Sequence, residues 1–300
     1  MIGSKPLKTG ASKSADPWSS RWHRRKIIRW AIAAFVVPLA IVATYFGARL
    51  IVSARVNSWR AQGMAAAQAG NHEKASEMLV RYLQRRPRDL EALIAYVRSR
   101  ELAELTDNQH FAETIGALQL LLTLDANRLP DHRHLLELYV KLERRPEALD
   151  TAKAILAHFP QDVRTLQLKT EVLGKMREFQ EALKTADQWS RYAPESLEAH
   201  MARLSMRARL NQSASSIVAD ASNLRTTHPD DVKFELLQGF AYALTGDDGL
   251  AAQWYKTASA HPGVSDEIAQ LIVTQFDSIG LPEESLALLR KQATGGKNAD

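Results

Sequence analysis

Nine histidines and not one cysteine set the chemical limits of this 300-residue sequence. Without Cys, disulfide frameworks, thiolate zinc sites and thiol nucleophiles are excluded, although the compartment stays open because such a chain suits either redox environment. His132 and His134 stand two apart, so on a helix they point to different faces and cannot form a two-histidine metal site. His228 and His261 each precede a proline and His158 sits one residue further back, which places all three in turns. The motifs G-x-S-x-G, the Walker phosphate loop, H-E-x-x-H and G-x-G-x-x-G are absent. No catalytic, cofactor-binding or metal-ligating residue is therefore expected, nor a cofactor or a small-molecule substrate, and an enzyme is the least favoured class.

Composition favours a folded, helical chain. Apolar residues make up 45% and charged residues 24%, while Gly and Pro stand mostly as isolated punctuation between apolar-periodic stretches. The net charge of +5 is unevenly distributed. Residues 1–60 hold eleven Lys and Arg against Asp16 alone, a net of +10, which leaves the remainder at −5. A mildly acidic body argues against nucleic-acid binding, which spreads Lys and Arg over a folded face.

The basic segment flanks an apolar run. From Trp30 to Ala48 the chain passes 19 residues without a charge, at about 1.5 Å per residue roughly the thickness of a bilayer's hydrocarbon core. Arg21, Arg24, Arg25, Lys26 and Arg29 crowd its N-terminal side, so the positive-inside rule puts the N-terminus in the cytoplasm and the rest across the membrane. Trp18, Trp22 and Trp30 suit an interfacial belt, and Pro38 is tolerable in a membrane helix. A cleaved signal peptide is the main competitor; its apolar core would be shorter, and a cut after Ala48 would put Phe46 where a small residue is needed. A mitochondrial presequence is a weaker rival. The resulting division is a basic, disordered cytoplasmic tail at 1–26, a transmembrane helix at 27–52, a folded body at 56–293 and a flexible end at 294–300. With no Pro or Gly between the span and Trp59, one helix is expected to run from the membrane into the body.

The body repeats. Pro87, Pro160, Pro194, Pro229 and Pro262 lie 73, 34, 35 and 33 residues apart, and 73 leaves room for one unmarked unit. Within a period, Gly239 and Tyr242, Gly246 at a turn, then Ala251 and Tyr255 recur in pattern; Trp59, Gly63, Gly70, Ala75, Leu79 and Pro87 mark the first unit. Leu135, Tyr139, Ala148, Ala152 and Pro160 follow, then Leu166, Leu173, Ala182, Ala186 and Trp189, then Leu204, Ile217 and Ala221, and last Phe276, Gly280, Ser285 and Leu289. The second unit needs extra residues, placed at Thr106 to Gln109, with its second helix from Phe111 to Leu124 and Ala126 in the proline's place. This pattern resembles the tetratricopeptide repeat (TPR) family, whose signature is W-x2-L-G-x2-Y, A-x3-F and P over about 34 residues. The resemblance, to a membrane-anchored bacterial type, covers residues 56–293 and implies an all-α, right-handed solenoid of about seven helix-turn-helix units behind one transmembrane helix.

It also implies protein partners on a concave face lined by the first helix of each unit. By helical phase the candidates are Arg133, Glu137, Lys141, Arg164, Gln167, Glu171, Lys175, Met206, Arg209, Lys233 and Phe240, with Leu236 beside them. The Lys and Asn constellation with which chaperone-binding members grip a terminal carboxylate is not found at these places. The expected function is a scaffold or adaptor in an envelope assembly: inner membrane, single-pass, repeats extracytoplasmic or periplasmic, bilayer contact through 27–52. Alternatives are an organelle-membrane receptor or chaperone for client proteins, and an accessory subunit of an exopolysaccharide-secretion machine.

Overall fold

The computed structural model describes the backbone of residues 17–103, 109–262 and 264–295, and the side chains of 42–103, 110–262 and 264–290. The described residues form fourteen α-helices and no strand. The chain divides into two compact units, Met1–Leu105 and Thr106–Asp300.

In the first unit α1 (Pro17–Gln68), α2 (His72–Leu83) and α3 (Leu90–Leu102) pack on one another. As expected, α1 is one helix that continues into the body. Gly63, near its end, lets α2 approach closely: a Cβ there would fall 2.7 Å from Leu79 Cγ. Asn71 caps α2 by accepting from the Lys74 N–H at 3.1 Å, and Asp89 caps α3 by accepting from the Ala92 N–H at 3.1 Å.

The second unit is a succession of helices: α4 (Gln109–Leu124), α5 (Leu129–Lys141), α6 (Arg145–His158), α7 (Val163–Lys175), α8 (Phe179–Tyr192), α9 (Leu197–Arg209), α10 (Ala214–Thr227), α11 (Val232–Leu244), α12 (Asp248–Ala260), α13 (Asp266–Ser278) and α14 (Pro282–Gly295). Their packing is stepwise. α5 touches α7, α7 touches α9, α9 touches α11 and α11 touches α13, whereas α6, α8, α10 and α12 pack on their chain neighbours. First helices thus form one layer and second helices another, the arrangement that a helix pair repeated by translation must give.

Small residues sit where the layers meet. Ala75, Ala148, Ala182 and Ala251 are fully buried, as are Leu79 and Tyr255, and Tyr255 packs edge-on against Phe276 of the next pair. Gly239 does for α11 what Gly63 does for α1, since a Cβ there would lie 2.5 Å from Tyr255 Cε1. The turns inside the pairs share one backbone feature, a left-handed residue at Gly70 (φ +75°), Glu143 (56°), Arg177 (61°), Asn211 (53°), Gly246 (83°) and Gly280 (77°). From Glu143 onward these recur every 34 or 35 residues.

Several expectations need adjusting. Helix α4 begins two residues before Phe111, and residues 106–108 of the expected insertion lie outside the described residues. Leu289, matched to the large inter-unit position, is 39% exposed, while Leu288 is buried in its stead. Leu236 is fully buried in the core, so it cannot face a partner. Of the expected 27–52 span, the side chains of 27–41 lie outside the described residues, as do residues 1–16 of the tail and 296–300 of the C-terminal segment. Among the described residues no helix is long and apolar enough to cross a membrane. The described end of the expected span is nevertheless unusual for its exposure: Val42, Tyr45, Phe46, Leu50, Ile51 and Val52 are all 49% to 68% exposed.

Candidate functional site

The residues picked from helical phase fall into three groups. The first is committed to holding repeats together. Arg133 on α5 reaches the carboxylate of Asp162, donating from Nε to Oδ2 at 3.1 Å and from Nη2 to Oδ1. Asp162 is the N-cap of α7, accepts the Thr165 N–H at 3.0 Å and has a side chain only 2% exposed. Burial alone would raise its pKa, but the guanidinium and the N–H together hold the carboxyl below the usual carboxylate range. The same latch occurs 73 residues earlier, where Arg60 donates to Asp89, the N-cap of α3, at 2.8 Å and the Tyr82 hydroxyl donates at 2.7 Å. Glu137 on α5 accepts from Arg164 on α7 at 2.8 Å, and Arg164 also donates to Gln167 at 3.0 Å. Lys141 Nζ lies 4.5 Å above the Phe111 ring of α4.

A second group converges. Gln167, Glu171 and Lys175 of α7 and Met206 and Arg209 of α9 line one open cavity of about 900 Å³. Its wall is low because α7 carries Gly174 there: Met206 Cε lies 3.6 Å from where a Cβ would sit. Beneath it, Trp189 of α8, Leu166 and Ala199 form a buried cluster that fixes the spacing of α7 and α9. Lys175 and Glu171 pair at 2.7 Å, an exposed one-turn pair of small energetic weight. The structure adds residues to this cavity that helical phase did not select: Arg177 and Asn211, which hold the left-handed turn positions, and Glu198 and Ser205 of α9.

The third group lies apart. Lys233 lines a neighbouring cavity of about 440 Å³ with Glu195, Glu198, Glu267 and Gln270, over the starts of α9, α11 and α13. Phe240 is half-buried and packs against the core around Phe234 and Tyr255. Arg177 and Asn211 were within reach of sequence reasoning, since steps of about 34 back from Gly246 arrive beside them. Glu267 was within reach as well, since it is the second residue of α13 just as Arg164 is of α7 and Lys233 of α11; Glu195 was not, because it stands in the turn before α9.

Chemically the face offers amides, carboxylates, cations and one thioether, open to solvent. Among the described residues no group of three His, Cys, Asp or Glu could hold a metal ion. His200 is 3% exposed, bonds its Nε2 to the Pro194 carbonyl at 2.7 Å, and has its pKa lowered by burial. His132 makes the same bond to the Ala126 carbonyl at 3.0 Å, so these histidines tie helix starts to the preceding turn. Ala126 occupies the turn before α5, as expected for the proline's place.

No protein-family model matches the sequence, and no curated protein matches it. Among solved structures, a tetratricopeptide repeat protein from Parabacteroides merdae ATCC 43184 aligns with a TM-score of 0.52 at 12% identity, covering 80% of this chain and 93% of that one. MamA (residues 41 to end) from Desulfovibrio magneticus RS-1 aligns with a TM-score of 0.40 at 14% identity, over 68% of this chain and 93% of that one. YrrB, described as a TPR protein with an unusual peptide-binding site, gives 0.43 at 16% identity, over 63% and 94%. The first of these likenesses places the fold with the helix-pair repeats that the sequence pattern resembles.

Proposed function

We propose that this protein is a membrane-anchored, non-catalytic adaptor whose first-helix layer docks a segment of a protein partner on the face formed by α7 and α9. The observation that carries the reading is the convergence of Gln167, Glu171, Lys175, Met206 and Arg209 on one open cavity of about 900 Å³. Its rim is charged and its floor is rigid, a combination suited to an extended polar chain rather than to a small apolar ligand. Incorporating a photo-crosslinking residue at Lys175 in the full chain, and separately at Lys184 on exposed α8, tests it. Adducts with a discrete protein from position 175 and none from 184 are expected; equal labelling from both would overturn the reading.

The anchor rests on sequence and on exposure. Val42, Tyr45, Phe46, Leu50, Ile51 and Val52 point to all sides of α1 and all are exposed, which a helix in water avoids and a helix in lipid requires. Val42, Tyr45 and Phe46 belong to the uncharged run from Trp30 to Ala48, and Leu50, Ile51 and Val52 follow it directly after Arg49. The charge asymmetry supports a tail in the cytoplasm and repeats on the other side of the membrane; the proposed setting is the periplasm of a bacterial-type cell, in an envelope assembly. Protease added to intact cells with a permeabilised outer layer should digest an epitope placed after Asp300 and spare one placed at Met1. The opposite pattern would contradict the orientation.

A further inference from the structure

The charges around the α7–α9 face are sorted by helix end. Arg177 and Arg209 stand with Lys175 at the C-terminal ends of α7 and α9, whereas Glu198, Glu195 and Glu267 stand at or before the N-terminal ends of α9 and α13. Glu198 borders both cavities, so the two form one track along α9. Charges so placed also complement the helix dipoles, and that alone could account for their signs. Their availability is a separate matter. Arg177, Arg209 and Glu267 are exposed and make no ion pair among the described residues, Glu198 accepts from Ser196 at 2.8 Å, and Lys233 at the acidic end is compromised by Asp231 at 3.9 Å.

We infer that the docked segment is an extended, bipolar peptide, acidic where it meets Arg177 and Arg209 and basic where it meets Glu198 and Glu267. This rests on the reading of the α7–α9 face as a protein-binding face. The spacing follows from the helix: Glu198 and Arg209 lie at opposite ends of α9, about 16 Å apart at about 1.5 Å per residue. An extended chain rises about 3.3 Å per residue, so the peptide's charged groups are separated by about five residues. Two opposite fields at that spacing select an order of charge as well as a composition, because a peptide laid the wrong way sets like charges together at both ends.

The test uses the full chain in detergent and fluorescence anisotropy at low salt. The probes are capped peptides with an Asp pair and a Lys pair separated by about five Gly and Ser residues, in both orders, and a peptide of the same composition with its charges alternating. One bipolar order should bind at least about tenfold more tightly than the alternating peptide, as a few exposed ion pairs acting together allow. The double variant Arg177→Glu with Arg209→Glu should lose that preference. Adding Glu198→Lys and Glu267→Lys should restore binding with the opposite order preferred, provided that the variants melt like the parent. Equal binding of all three peptides would overturn the inference, as would the same loss from Lys153→Glu with Lys184→Glu on the second-helix layer. If the peptides bind equally while position 175 still crosslinks to one protein, the docking face stands and its polarity falls; if position 175 crosslinks to nothing, both fall.

Discussion

Replacing glycine by alanine at two helical positions should shift stability in opposite directions, and the structure sets both magnitudes. Within a helix the exchange contributes about 0.8 to 1 kcal/mol of stabilisation through lost unfolded-state freedom. At Gly116, on the exposed side of α4, an added Cβ meets nothing within 4 Å, so Gly116→Ala should stabilise by about 0.5 to 1 kcal/mol. At Gly239 the same methyl group would lie 2.5 and 2.6 Å from two ring carbons of Tyr255 and 3.1 Å from Trp254 Cβ. Relief requires the ring to retreat by about 1 Å, since carbon contacts settle near 3.5 Å. Tyr255 cannot retreat freely: it is fully buried and packs edge-on against Phe276 with centroids 5.6 Å apart. Overpacking of this kind costs roughly 1 to 3 kcal/mol, and separating α11 from α12 costs more, so Gly239→Ala should destabilise by about 1 to 3 kcal/mol net. Urea unfolding of the full chain, followed by helical circular dichroism and by hydrogen exchange at α11 and α12, reads both changes and does not depend on a single all-or-none transition. If Gly239→Ala stabilises as much as Gly116→Ala, the close approach of the paired helices is wrong.

Other perturbations follow from individual contacts. The Tyr255 hydroxyl is buried without a hydrogen-bond partner among the described residues, and burial pushes its phenol well above the ordinary range; Tyr255→Phe should therefore be neutral or stabilise by about 1 kcal/mol in thermal melts. Glu143 holds φ at 56° where other turns use glycine, so Glu143→Gly should stabilise by about 1 kcal/mol, and a loss would show that its side chain matters more than its backbone. The carboxyls of Asp89 and Asp162 are depressed, each by its arginine and a helix N–H against the opposing effect of burial. Their contribution is thus complete above the unfolded value of about 3.9 and is lost as pH falls through the lower folded values. Asp162→Asn should shallow that acid limb, and Arg133→Met should cost about 1 to 3 kcal/mol at neutral pH because it leaves a buried carboxylate poorly partnered.

The repeat was legible because its positions are dictated by space: a small residue, Ala, recurs at 75, 148, 182 and 251, and all four are fully buried. The turns were legible where they used Gly70, Gly246 and Gly280, and obscured where Glu143 and Arg177 adopt the same left-handed backbone without the residue type that announces it. The docking face was half legible. Helical phase brings Lys175, Met206 and Arg209 to the right layer, but phase cannot tell a free charge from one bound to the next repeat. Arg133, Glu137 and Arg164 share the face and are engaged by partners 27 or 29 residues away. Leu236 shows the same limit from the other side, since a helix apolar on most of its circumference has no phase to read.

The absence of native cysteine permits a direct measurement of the stepwise packing. Gly174→Cys with Met206→Cys places thiols on α7 and α9, where the present Met206 Cε stands 3.6 Å from a Cβ at 174. Lys153→Cys with Asp187→Cys places them a similar 34 residues apart, on α6 and α8, which pack on their chain neighbours. A short bifunctional thiol-reactive reagent, such as a bis-methanethiosulfonate that forms one disulfide to each cysteine and releases methanesulfinate, should join the first pair within the folded chain and leave the second unjoined. Efficient joining of the second pair, or failure of the first, would contradict the translation of helix pairs on which the docking face depends.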